Sequence, residues 1–203
     1  APAGSYLQDL QISRDGRTII IADSSIWRKR PALIVYDVET GEGRRVLEGH
    51  ASVLAESYVV SSEGRQMSFA GGLVSLRGGV NGIALGDKWL YFGAINGSGL
   101  YRILLSDLQN IELPATQLAA RVQRLGDKPM SDGMSIDLQG NVYITDIEHN
   151  AVFRAGPDGD LQTLIRSRDI RWPQALSFGP NGWMYVADSG LSEVVLRSQE
   201  HIA

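Results

Sequence analysis

The chain has 203 residues, of which 43% are apolar; 19 basic and 23 acidic side chains give a formal net charge of −4, and there is no cysteine. This excludes disulfides, thiolate metal sites and cysteine nucleophiles, and the lack of a basic field argues against nucleic acid as a partner. The length suffices for a substantial core, and no apolar run is long enough to predict a membrane span.

In chain order, one pattern occurs four times, at 6–23, 79–94, 131–146 and 173–188. Each copy opens on a polar residue (Asp9, Asn81, Asp132, Gln174) and continues as a short apolar alternation, Leu10/Ile12, Ile83/Leu85, Met134/Ile136 and Leu176/Phe178. Period two predicts a strand. A turn pair follows, Asp15-Gly16, Gly86-Asp87, Gly140-Asn141 and Asn181-Gly182, and then a more continuously apolar run ending in Asp23, Ala94, Asp146 or Asp188. Such runs suit strands buried on both faces. Third strands are predicted at 33–37, 100–103, 151–154 and 193–196, and fourth strands at 44–47 and 162–165. A helix is predicted at 115–123.

Units of roughly 40–50 residues with four antiparallel strands mark an all-β fold of the β-propeller type. The expected organisation is one partial propeller domain over 1–203. Its blades cover 5–50, 79–125, 131–170 and 173–203, with an insertion at 51–78. Trp27, Trp89, Trp172 and Trp183 read most simply as inter-blade packing; Trp172, before Pro173, could instead wall the channel mouth. The closing Asp23, Asp146 and Asp188 read as structural, each tying the turn that follows it.

The phrases YLQDL, LIVYDVETGEGRRVLEGH, SLRGGVNGIAL, LYFGAINGSGLYRI, SDGMSIDLQGNVYITDIEHNAVFR and IRWPQALSFGPNGWMYVAD resemble the major royal jelly/yellow family over nearly the whole chain. The resemblance implies a six-bladed propeller with about four blades in this chain and the remaining blades upstream. It also implies a small-molecule ligand in the central channel, and an extracellular or periplasmic location. A cysteine-free version looks like a bacterial relative. The opening Ala1-Pro2-Ala3-Gly4 could follow a cleavage site or mark where a longer chain was cut. If the protein is an enzyme, the family suggests a dopachrome-conversion-like isomerase.

A more distant resemblance is to the senescence-marker/gluconolactonase propellers, metal-dependent lactone hydrolases. It implies a divalent metal held at Asn81 and Asp132, with a further Glu upstream and Asp132 as the catalytic base. No organic cofactor is expected.

In a propeller the inner strands start around one channel mouth, so Asp9, Asn81, Asp132 and Gln174 should converge. Two carboxylates and two amides are the oxygen donors that Ca²⁺ or another hard divalent cation takes, which adds Asp9 to the metal candidates. The structural alternative is that these residues bond backbone amides of the next blade. The expected ligand-binding residues are Asp9, Gln174, Ser189, Leu191 and Trp172. Of these, Gln174, Ser189 and Leu191 occupy the places used by amine-binding relatives, with different residue types. His50, His149 and His201 lack metal-ligand spacing.

Overall fold

The computed structural model describes residues 1–69, 74–75 and 77–194. Three four-stranded antiparallel sheets and one two-stranded sheet follow the four repeats. The first module is β1 (Leu7–Ile12), β2 (Thr18–Asp23), β3 (Ala32–Asp37) and β4 (Gly43–Val46). Two small hairpins come next, β5 (Ser61–Ser62) with β6 (Arg65–Gln66) and β7 (Ser68–Phe69) with β8 (Val74–Ser75). The second module is β9 (Val80–Leu85), β10 (Trp89–Ala94), β11 (Gly99–Leu104) and, after α1 (Leu105–Gln109) and α2 (Ala115–Ala120), β12 (Gln123–Asp127). The third is β13 (Met134–Ile136), β14 (Val142–Asp146), β15 (Ala151–Ala155) and β16 (Leu161–Arg166). The fourth is β17 (Pro173–Phe178), β18 (Met184–Asp188) and α3 (Leu191–Val194).

The modules stand side by side around a shared line. The first strand of each lies against the first strand of the next: β1 by β9, β9 by β13, β13 by β17. This is the arrangement of propeller blades, and it explains the burial of the second strands. On β10, Leu90 and Phe92 enter the apolar cluster shared with Ile20, Leu33 and Val35 of the first module. Tyr91, pointing the other way, enters a cluster with Met134, Val142 and Ile144 of the third. Period two thus serves two neighbours at once. Between the third and fourth modules, Tyr143 and Phe178 meet edge to face, 5.1 Å between centroids.

The structure departs from the sequence expectations in four places. The third strand expected at 193–196 begins as helix: Glu193 and Val194 belong to α3, and Val195 and Leu196 lie outside the described residues. The second module's outer strand runs to Asp127, past the expected boundary at 125, after a helical detour that conceals it in the sequence. The run at β18 is not buried on both faces, because no module among the described residues covers its far side. Of the four tryptophans only Trp172 is fully buried; Trp27 and Trp183 are exposed, and Trp89 is half-buried beneath the Arg102 guanidinium, 4.5 Å from the ring centroid.

Candidate functional site

Inner-strand starts and the turns between second and third strands share one face. Asn81 begins β9 and Asp132 lies just before β13, and the two meet: Asn81 Nδ2 donates to the Asp132 carbonyl (2.7 Å) and to its Oδ1 (2.5 Å). From the fourth module, Trp172 Nε1 donates to Asp132 Oδ2 at 2.7 Å. Both carboxylate oxygens therefore accept from uncharged N–H donors, in a setting where Asn81, Asp132 and Trp172 are all buried. Burial pushes the Asp132 carboxyl above the usual carboxylate range; the bonds from Trp172 and Asn81 oppose that rise, and nearby Asp9 adds to it.

The backbone around Asp132 is held by Thr145 Oγ1, which accepts the N–H groups of Asp132 (3.1 Å) and Gly133 (3.0 Å). Close approach of the fourth module requires glycine at 133, since a Cβ there would lie 2.3 Å from the Gln174 carbonyl. Asn81 Oδ1 is buried and has no hydrogen-bond partner among the described residues. The acceptors facing Nδ2 fix the amide's orientation, so the orphan is the oxygen.

Asp9 behaves as the structural alternative supposed. Its Oδ2 accepts the Ile83 N–H of the next module (3.0 Å) and its Oδ1 the Leu10 N–H (2.8 Å), and burial raises its carboxyl despite these bonds. Gln174 is brought to the same end of the fold, but its side chain is exposed. Ser189 Oγ donates to the Trp172 carbonyl (3.4 Å), and Leu191 packs against the apolar cluster that contains Trp172. Asn81, Asp132 and Trp172 thus form one unit, Asp9 sits beside it, and Gln174, Ser189 and Leu191 are peripheral. The closing aspartates bind turns as expected: Asp23 accepts from Ser25 N, Asp146 from Glu148 N and His149 N, Asp188 from Trp172 N and Gly190 N.

Residues 56–65 reach over this face. Glu56 accepts from Ser98, the Tyr58 hydroxyl donates to Glu148, and Arg65 donates to the Ser192 carbonyl, so the segment touches three modules. Val60 and Met67 of this region join Ile95, Ile147 and Trp172 of the modules in an apolar cluster.

Two residues escaped the sequence reading. Thr145 was legible only as a polar residue in an apolar run. Lys128 carried no signal, yet it is fully buried, donates to the Pro129 carbonyl and Ser131 Oγ (both 2.9 Å), and burial pushes its ammonium down to about 7 against the pull of Glu56 and Asp146.

As a cation site the described residues fall short. No three His, Cys, Asp or Glu side chains converge among them. Asp9 is engaged by backbone amides, and the Asp132 oxygens by Asn81 and Trp172. The unpartnered Asn81 oxygen and the lone pairs still open on the Asp132 and Asp9 carboxylates fall short of the six to eight oxygens calcium takes. The described residues alone do not complete a site for a divalent cation.

The solved structures similar to this chain are propellers. They include a gluconolactonase from Xanthomonas campestris (13% identity, 93% of this chain and 57% of that chain, TM-score 0.60). A luciferin-regenerating enzyme matches at 13% identity over 93% of this chain and 55% of that one, TM-score 0.61. The nidogen/laminin complex matches at 15% identity over 92% and 58%, TM-score 0.62. At such identities the likeness speaks to fold alone, and the chain spans little more than half the length of these structures. No curated protein matches it. The family model described as major royal jelly protein, however, matches residues 3–186. Nearly the whole chain is covered by that match, and the chain belongs to the major royal jelly protein family.

Proposed function

We propose that the protein binds a small molecule at this channel mouth, with Asp132 as its polar anchor. One observation carries the reading: a buried carboxyl gripped by two uncharged donors stands beside a buried amide oxygen that has no donor. An unsatisfied buried acceptor costs about 1–3 kcal/mol, and a ligand hydroxyl or amine placed against Asn81 Oδ1 would remove that cost. Asp9, Gln174, Ser189 and Leu191 would form the outer contacts. Further modules upstream in the polypeptide would close the ring and complete the channel wall.

The test is affinity selection from a mixture of small polyols, amines and lactones, read by native mass spectrometry. The native chain should retain a compound whose affinity drops at least tenfold in Asp132→Asn. Retention of nothing, or equal retention by the variant, removes the reading.

A second reading is a lactone hydrolase of the gluconolactonase type, favoured by the oxygen donor left free on Asn81. The reading requires D-glucono-1,5-lactone to be opened faster than in buffer, followed by proton release. It also requires the thermal midpoint to rise with Ca²⁺, Mg²⁺, Mn²⁺ or Zn²⁺. Absence of both effects eliminates it.

A further inference from the structure

The mouth described above is shut. Asn81 is 2% exposed, Trp172 1% and Asp132 9%, and the free Asn81 oxygen is buried. No solute reaches that oxygen while every element stays in place, so something over this face must move before a ligand enters.

The modules themselves are poorly suited to that movement. Their strands are joined by continuous ladders, and apolar clusters bind one module to the next. The hairpin of β5 and β6 differs. Each of its strands has two residues, and beyond them the Met67 N–H donates to the Val60 carbonyl (2.8 Å). At its tip Glu63 and Gly64 both have positive φ (52° and 71°), as a two-residue hairpin turn requires. An isolated two-stranded hairpin is marginal in water, so this one keeps its place through what it rests on.

Those supports are few. The Tyr58 hydroxyl and the Ser61 N–H donate to Glu148 Oε1 (3.0 and 2.7 Å), Asn150 Nδ2 donates to Glu63 (2.6 Å), and Arg65 donates to the Ser192 carbonyl (2.6 Å). None of these bonds is fully buried, so each contributes modestly. On the apolar side, Val60 and Met67 join the cluster of Trp172, whose indole N–H holds Asp132 Oδ2. The hairpin therefore rests on the same cluster as the side chain that grips the anchor.

We infer that residues 58–67 form a lid on the channel mouth, latched to the third module by Glu148 and to the fourth by Arg65. Lifting it uncovers Trp172 and gives access to the Asn81–Asp132 pair. What the lid admits rests on the channel-mouth reading; that it opens does not.

The native chain has no cysteine, so a single introduced thiol reports access to its own position. The probe is iodoacetamide, with alkylation followed by intact mass. In Asn81→Cys the thiol should react far more slowly than in the urea-unfolded chain. Adding Glu148→Ala, which removes two of the four ties, should speed that reaction about fivefold or more. Val142→Cys, in the apolar cluster between the second and third modules, should react no faster with Glu148→Ala than without it. Should Asn81→Cys fail to fold, Ser131→Cys, 1% exposed and adjacent to Asp132, replaces it. Alkylation at the unfolded rate with the lid intact, a rate unmoved by Glu148→Ala, or equal acceleration at Val142→Cys overturns the inference. The expected rates together with no compound retained in the affinity selection would remove the ligand and keep the lid.

Discussion

The second and fourth modules carry nearly the same sequence pattern and meet opposite fates. In β10, every residue from Leu90 to Ala94 is buried. In β18, the related run Met184–Asp188 alternates between half-buried and exposed, with Tyr185 59% exposed. The difference lies in the company rather than the residues. Among the described residues, β10 has a module on each side, and β18 has the third module alone. A repeat specifies its own hairpins, while its burial depends on its neighbours.

Truncating one aromatic from each run tests this most severely. Phe92→Ala empties a site packed by both the first and second modules and should cost about 3–5 kcal/mol in chemical denaturation. Tyr185→Ala, on the uncovered side, should stay within about 0.5 kcal/mol. Comparable losses for the two would mean that β18 is covered after all.

The glycine after the lead residue sharpens it further. Gly82 and Gly133 occupy that place in the second and third modules, where a Cβ would press on the next module's backbone. The fourth module has Ala175 there, exposed. Gly133→Ala should therefore cost about 1–3 kcal/mol, because the Gln174 carbonyl stands in the way. Ala175→Gly should cost less than that, as measured by the same denaturation midpoint.

Much of this was legible in the sequence because it is local. Alternation at Ile83/Leu85, the Asn181-Gly182 turn and the Asp-ended runs report strand and turn chemistry directly. Convergence of Asn81 and Asp132 followed from the radial arrangement. What stayed hidden is set by partners distant in the chain. A tryptophan looks the same whether it is 1% exposed like Trp172 or 68% exposed like Trp183. Trp172 was placed among the ligand contacts, and its bond to Asp132 depends on a neighbour 40 positions away. Helix α3 replaces an expected strand because Gly190 and the turn bonds of Asp188 redirect the chain there. Lys128 has no motif, since its burial arises where the second and third modules close over it beneath the Gly93 backbone.

Buried charge at the inter-module seam gives a pH test that the exposed module cannot mimic. Lys128 has its ammonium lowered from 10.5 to about 7 by burial, so between those values the unfolded chain binds a proton that the folded one does not. Stability should rise with pH across that window. Lys128→Met should flatten the rise in thermal midpoint between pH 7 and 10, and an unchanged rise would place Lys128 in solvent.

Asp132 supplies the opposite slope and a smaller effect. Burial raises its carboxyl above the ordinary 3.8, so just above that value the folded protein holds a proton that the unfolded chain has released. Stability from this group is complete below 3.8 and is lost as pH climbs through the raised folded value. Carboxylates lowered on the surface, such as Asp37 and Asp137, act in the other direction and obscure the raw curve. The informative quantity is the midpoint of the native protein minus that of Asp132→Asn, which should decline as pH rises above 3.8. Trp172→Phe removes a donor that favours the ionised form, so it should extend the decline to higher pH. A difference that is flat in pH would mean that water reaches Asp132, and the dry junction between the third and fourth modules would no longer separate this seam from the uncovered face of β18.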